Sequence, residues 1–324
     1  MNQFTKKKFN TSDYLYAPML SMGGNTYQRP ITEGLWNILN RATRLARDNK
    51  QQLIRDGRKL SLDIRGTPKG NRPINFVIYH VPFDQDKNRS IESFDVPTID
   101  HSKIKHVELV RWTINAIRDV CKDAEVIICT NEAFGNALLD LKPTILIPEV
   151  ETTRPMYYRV RTYNTIIQNQ WLSGTTVFLD SDAIVLKDPR DLPKKLNFNV
   201  GVTARYAPNL MPINEGVIIT DSNSDACHDF FAHYMGTYQL IKDDPLIQNI
   251  TGNDLMRWRG GQLSLNAICN GNKMTDFRDS SHEIKVLPCS KYNYSVSKKS
   301  EVSSLRKQNK AYIAHIKGKA KLQD

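Results

Sequence analysis

An α/β fold with a mostly parallel central sheet flanked by helices is predicted by three observations. Short apolar runs bounded by turn residues recur between residues 74 and 180. Longer stretches with apolar residues at helical spacing separate them. The last short run stops abruptly at two carboxylates, Asp180 and Asp182. Strands alternating with helices imply crossover connections, hence parallel pairing and a sheet covered on both faces. In open sheets of this kind ligands bind beyond the carboxyl ends of the strands, where these two acids lie.

Composition sets the frame. The 324 residues suffice for one large α/β unit or two smaller ones. With 40% hydrophobic and 24% charged residues, this is the composition of an ordinary globular protein. No apolar run approaches the ~20 residues of a membrane span. The N-terminal Met1-Asn-Gln-Phe-Thr-Lys-Lys-Lys8 has basic residues but no apolar core, so no secretory signal is expected. Five dispersed cysteines without Cys-x-x-Cys spacing suit reduced thiols and a cytoplasmic setting better than disulfides or zinc. The net charge of +11 is uneven. Residues 1–72 hold 14 Lys+Arg against 5 Asp+Glu, leaving 31 against 29 for the remaining 252 residues. Residues 1–72 are therefore expected as a basic helical N-terminal extension, and 73–324 as the main domain.

Within the extension, residues 1–30 are polar. Thr32 is placed to cap a helix whose apolar positions Leu35, Ile38, Leu39, Ala42, Leu45 and Ala46 share one face. The other face carries Arg41, Arg44, Arg47 and Lys50. Such a helix either lies on an anionic surface or packs on the main domain with its charges in water. Residues 64–73 read as a Gly/Pro-rich linker. The main domain then opens with a strand, Ile74–Tyr79. A helix over Val107–Cys121 follows, then a strand over Glu125–Thr130. A short helix from Thr130-Asn131 through Leu139 leads to a strand over Thr144–Ile147. A long helix from about Arg154 to Asn169 precedes the strand ending at Asp180.

The stretch Thr175-Thr-Val-Phe-Leu-Asp-Ser-Asp-Ala-Ile-Val-Leu186 reads as a buried strand running into two acids. Unpaired carboxylates away from water are costly, so the pair calls for a cation. Mg²⁺ or Mn²⁺ fits, because hard cations take oxygen ligands and share them with phosphates. The alternative is an Asx-type turn with both acids solvated. Two later segments bear on the choice. Met211-Pro-Ile-Asn-Glu-Gly-Val-Ile-Ile-Thr220 sets Asn214 and Gly216 at the start of an apolar strand. Ala311-Tyr-Ile-Ala-His-Ile-Lys-Gly-Lys-Ala-Lys321 leads from a strand into His315, Gly318 and Lys321. An imidazole completes a carboxylate pair, a glycine admits close approach of a phosphate, and a lysine can donate to it. Taken singly, these are equally a strand-end histidine, a turn and a solvated tail.

Together, Phe178-Leu-Asp-Ser-Asp-Ala-Ile-Val, Asn214-Glu-Gly-Val-Ile and His315-x-x-Gly318-x-x-Lys321 resemble glycosyltransferase family 8. This group includes glycogenin and bacterial lipopolysaccharide galactosyltransferases. The resemblance covers roughly residues 74–321 and implies the GT-A (nucleotide-diphospho-sugar transferase) fold. It implies Mn²⁺, or Mg²⁺, held by Asp180, Asp182 and His315, with a UDP-sugar as donor. Gly318 and Lys321 become diphosphate contacts; Asn214 and Gly216 become donor contacts, with Ser181 in the same donor-binding set. Arg259-Gly-Gly-Gln-Leu-Ser-Leu-Asn266 is similar to a family segment near the reacting carbon, which places Gln262 there and makes Asn266 the later asparagine. Gly261 stands where that family carries an aspartate. An upstream family arginine most resembles Arg159 or Arg161, and the turn after the first strand offers Tyr79, His80 and Asp84 to the uridine. Gln262, Asn214 and Lys321 are thus the expected catalytic set, and retention of anomeric configuration is implied. The Pro-Trp that often follows the terminal lysine is absent.

Two competing readings remain. A sugar nucleotidyltransferase is weakened by the missing Gly-rich phosphate loop after the first strand. A polyanion- or nucleic-acid-binding protein acting through residues 1–72 is weakened by the lack of a recognised motif and of aromatics for base stacking. The acceptor, whether glycan, protein or lipid-linked sugar, is not written in the residues.

Overall fold

The computed structural model describes residues 33–70, 72–82, 105–151, 153–204, 213–251, 260–271, 284–317 and 321. Its helices are α1 Glu33–Asp48, α2 Lys50–Lys59, α3 His106–Val120, α4 Glu132–Asn136, α5 Pro155–Gln168, α6 Leu192–Leu196, α7 Asp225–Asp243, α8 Pro245–Thr251, α9 Gly260–Gly271, α10 Cys289–Tyr292 and α11 Ser300–Lys307. Its strands are β1 Ile64–Arg65, β2 Ile74–Tyr79, β3 Glu125–Cys129, β4 Thr144–Pro148, β5 Thr175–Leu179, β6 Ala183–Val185, β7 Val200–Ala204, β8 Ile213–Asp221, β9 Ile284–Pro288, β10 Tyr294–Val296 and β11 Ile313–Ile316.

The large sheet has the order β1-β4-β3-β2-β5-β8-β7-β9. β4, β3, β2 and β5 pair in parallel, as continuous apolar strands linked through α3, α4 and α5 should. Beyond β5 the direction reverses. β8 runs antiparallel to both β5 and β7, and β9 is again parallel to β7. The sheet is thus mostly parallel, as expected, with β8 and the edge strand β1 running against the other strands. β7 and β8 are separated by too few residues for a crossover connection, so the pair meets antiparallel.

Alternate side chains feed two cores. Val77, Phe178 and Ile218 face Tyr163 and Ile166 of α5, Phe231 and Tyr234 of α7, and Leu265 of α9. Phe76, Ile78, Val177, Leu179, Val217 and Ile219 face Val110, Ile114 and Ile117 of α3. Each fully buried large aliphatic contributes roughly 1.5–3 kcal/mol, so the sheet is a rigid platform for whatever sits at its rim.

Of the residues expected as the extension, α1 and α2 are built into this platform. Ile38, Ala42 and Ala46 join the first core, so the helix packs its apolar face inward. Arg41, on the other side, makes a bidentate pair with Asp244, which also accepts from the backbone of Leu246 and Ile247 at the start of α8. α2 lies so close to α7 that a Cβ on Gly57 or Gly236 would strike the facing backbone at 1.8 or 2.2 Å. Thr32, the expected cap, lies outside the described residues. The expected linker 64–73 is in part a strand: β1 pairs antiparallel with β4, and Gly66 turns the chain immediately after it at φ +104°. The need to pair backbone groups at the sheet edge overrides the loop-like composition. All five cysteines are free thiols, four of them buried. Among the described residues no helix is long and apolar enough to cross a membrane.

Candidate functional site

The cluster forms where β5 ends. The Asp180 N–H donates to the Gly216 carbonyl of β8 (2.9 Å), and a turn through Ser181 carries the chain into β6. β6 belongs to a second, three-stranded sheet of order β10-β11-β6. There His315 pairs with Ala183, and the Ile316 N–H donates to the Asp182 carbonyl at 3.0 Å. That ladder brings a histidine from far along the chain to the two acids. His315 Nε2 lies 3.0 Å from Asp182 Oδ1 and 3.5 Å from Asp180 Oδ2. One ligand atom from each of the three residues falls within 4.8 Å of the others. Asp180 is 26% exposed, while the side chains of Asp182 and His315 are nearly inaccessible, so the cluster faces solvent through Asp180.

Gly216 makes this approach sterically feasible. A Cβ there would sit 2.6 Å from Asp180 Oδ2, 2.6 Å from His315 Cε1 and 2.8 Å from Asn214 Oδ1. The histidine's tautomer follows from its neighbours. The Gly216 backbone N–H donates to Asn214 Oδ1 at 2.9 Å, so that oxygen is an acceptor. Asn293 Nδ2 donates to the same oxygen at 2.8 Å and to Thr203 Oγ1 at 3.0 Å. Asn293 therefore presents Oδ1 to His315 Nδ1 at 2.9 Å, and Nδ1 carries the proton. The Nε2 lone pair is left facing the two acids, the arrangement a metal-ligating imidazole needs.

The electrostatics agree. Burial is the largest influence on His315 and holds its pKa below the ordinary imidazole value in spite of Asp182, so it stays neutral. Burial opposes charge on Asp180, yet the Arg159 guanidinium outweighs it and keeps the carboxyl below its usual value. Asp182 is also opposed by burial, yet its carboxyl is held below the ordinary range, with the Lys321 ammonium paired to its Oδ2. We assign the cluster as two carboxylates and one neutral imidazole. Arg159 bridges two acids: its Nη1 meets Asp180 Oδ1 at 2.6 Å and its Nη2 meets Glu215 Oε1 at 2.9 Å. Tyr234 donates its hydroxyl to the same Glu215 oxygen at 2.7 Å. Burial leaves the Glu215 pKa raised despite these partners.

The other expected residues fall as follows. Lys321 pairs through Nζ with Asp182 Oδ2. Asn214, expected as a donor contact, is buried and engaged with Gly216 and Asn293. Ser181 Oγ lies 3.1 Å from His80 Nδ1, and burial lowers the His80 pKa to about 3. The His80 ring packs against His106 and Phe134. Tyr79 is buried edge-on to Tyr163. Arg161 reaches away, to the Ser61 carbonyl, which leaves Arg159 as the arginine of the site. Gln262 is half-buried on α9, where its carbonyl accepts from Asn266. Asn266 also exchanges two hydrogen bonds with the Ile213 backbone and so pins the start of β8. Gly318 and Asp84 lie outside the described residues. Sequence reasoning missed Asn293, Glu215 and Lys317. Glu215 was visible inside the Asn-Glu-Gly motif, whereas no local signal marks Asn293. A Cβ on Gly261 would lie 2.3 Å from Glu215 Oε1, so this acid occupies the space beside Gly261.

No protein-family model matches the sequence, and no curated protein matches it. Solved structures do resemble it at low identity. A glycosyltransferase involved in glycosylation of the major capsid of PBCV-1 is 14% identical, with 76% of this chain and 94% of that chain covered and a TM-score of 0.41. The galactosyltransferase LgtC in complex with donor and acceptor sugar analogs is 10% identical over 75% and 87%, with a TM-score of 0.44. Mouse xyloside xylosyltransferase 1 is 10% identical over 78% and 99%, with a TM-score of 0.42.

Proposed function

We propose that this chain is a metal-dependent glycosyltransferase of GT-A type that moves a sugar from a nucleotide-diphospho-sugar, a UDP-sugar, to an acceptor with retention. The observation that carries the reading is the Asp180–Asp182–His315 cluster: two ionised carboxylates and an imidazole lone pair converging within 4.8 Å at a sheet's rim. The donor set fits a divalent ion of the Mn²⁺ or Mg²⁺ class, since two hard oxygens and a borderline nitrogen suit it and no thiol is present. When bound, such an ion supplies positive charge beside the departing diphosphate.

The chain's own residues do the rest. Arg159 neutralises Asp180 from behind, which allows two acids to remain ionised side by side. Lys321, at the edge of the same cluster, donates to the diphosphate together with the backbone at Gly318. As the sugar–phosphate bond breaks, negative charge grows on the diphosphate and positive charge on the anomeric carbon. A preorganised donor at the first position is worth on the order of 100-fold in rate. Gln262 lies beside the anomeric carbon, Asn214 and Gly216 shape the donor-sugar side, and Ser181 and Tyr79 lie toward the nucleoside. Glu215 is committed to Arg159 and Tyr234, so it is a poor nucleophile. Retention then follows from same-face attack by the acceptor, with a diphosphate oxygen taking its proton. The acceptor is a glycan, a protein or a lipid-linked sugar. The cytoplasmic setting and a contact of residues 1–72 with an anionic surface belong to the same reading.

The test is UDP release from a panel of UDP-sugars with Mn²⁺, repeated with Asp182→Ala. Metal-dependent turnover lost in the variant supports the reading. Turnover indifferent to both metal and substitution, or a trapped covalent glycosyl-enzyme, would contradict it.

A further inference from the structure

One cation near the cluster has no part in the scheme above. Lys317 follows His315 by two residues, and its Nζ lies 2.7 Å from His315 Nε2. Because Asn293 fixes the proton on Nδ1, that nitrogen can only accept, and the ammonium donates to it. The same lone pair is the one an ion would use, with Asp182 Oδ1 at 3.0 Å and Asp180 Oδ2 at 3.5 Å from it. The Lys317 backbone is held independently, its N–H donating to the Val296 carbonyl at 3.1 Å, so the side chain can swing without unravelling the strand. Charge counting points the same way. Asp180, Asp182 and Glu215 are matched by Arg159, Lys317 and Lys321, and with His315 neutral the group carries no net charge.

We propose that Lys317 is the resident cation of the cluster. Its ammonium stands on the ligand lone pair, a divalent ion binds only by displacing it, and Lys317 thereby sets the ion affinity of the nucleotide-free protein. This rests on the metal-site reading above and adds to it a residue that weakens, rather than supplies, ligation. Displacement exchanges one positive charge for two, so the neutral site gains one excess positive charge. Such a site is complementary to a diphosphate, so ion and nucleotide bind together more readily than the ion alone.

The experiment is a titration of the full chain with Mn²⁺ alone, following free Mn²⁺ by electron paramagnetic resonance. Wild type is compared with Lys317→Met and Lys317→Gln, each checked for folding by circular dichroism. Losing one charge-assisted hydrogen bond to the ligand atom is expected to tighten Mn²⁺ binding by about tenfold or more. In the wild type, the acetylation rate of Lys317, read by mass spectrometry, is expected to rise on adding Mn²⁺; this arm needs no variant to fold. Equal or weaker affinity in folded variants, or a Lys317 reactivity indifferent to Mn²⁺, overturns the proposal while leaving the metal site standing. No Mn²⁺ binding to any form, even with UDP added, removes the metal site itself and this proposal with it.

Discussion

Asn293 Oδ1 accepts the Nδ1 proton of His315 at 2.9 Å, and this contact decides which nitrogen of the histidine faces the two aspartates. The orientation of Asn293 is set in turn by Asn214, whose oxygen is claimed by the backbone N–H of Gly216 on the same strand. A backbone group thus dictates, through two amides, the tautomer of a candidate metal ligand.

Replacing Asn293 by leucine breaks this chain while keeping volume. Outer-shell partners of metal-bound histidines are typically worth 10–100-fold in affinity. We expect a loss in roughly that range for Mn²⁺ in Asn293→Leu, measured by calorimetry. An unchanged affinity would show that the tautomer is not set here.

Gly216→Ala places a methyl group 2.6 Å from both Asp180 Oδ2 and His315 Cε1. Overpacking of this kind costs about 1–3 kcal/mol. The expected result is a lowered midpoint of unfolding with Mn²⁺ binding lost. A variant that binds Mn²⁺ as wild type would mean the cluster is looser than the distances indicate.

Arg159 serves two acids, the buried Glu215 and the partly exposed Asp180, so Arg159→Met strands both. Removing one partner of a buried pair typically costs roughly 3–5 kcal/mol. Denaturant unfolding should show a loss of that order, partly restored by adding Glu215→Gln, because the second change removes one stranded charge. Strict additivity of the two substitutions would deny their coupling.

His233 gives a pH dependence. It is buried between α1 and α7, where its Nε2 lies 3.0 Å from the Ala46 carbonyl, and burial lowers its pKa to about 4. The unfolded chain takes up this proton near pH 6.5, whereas the folded chain refuses it until about pH 4. Stability is therefore intact above pH 6.5 and falls as pH drops toward 4, by roughly 1.4 kcal/mol per unit at the steepest. His233→Gln, which keeps a donor for Ala46, should flatten that slope. An unaltered slope in equilibrium unfolding at pH 7 and pH 4.5 would place the titration elsewhere.

The apolar runs that became β2, β3, β4 and β5 were legible because a buried parallel strand must be continuously hydrophobic, and α3 and α5 were legible by their spacing. Asp180, Asp182 and His315 were legible as residues, since acids at the mouth of a buried strand demand a partner. The reversal at β8 was not, because apolar residues do not encode strand direction. Nor was the docking of α2 on α7: Gly57 and Gly236 look like weak helix residues until the facing backbone fills the space above them. Asn293 and Lys317 act through β10 and β11, whose pairing brings distant segments together, so no local spacing announces them.

The central claim is that Asp180, Asp182 and His315 share one divalent ion. It is tested most directly by anomalous diffraction at the manganese edge from crystals grown with Mn²⁺ and UDP. The account predicts a single strong peak within roughly 2.1–2.4 Å of a carboxylate oxygen from each aspartate and of His315 Nε2, with the diphosphate on its open side. A peak bound elsewhere on the chain, with Lys317 still against His315, would contradict it.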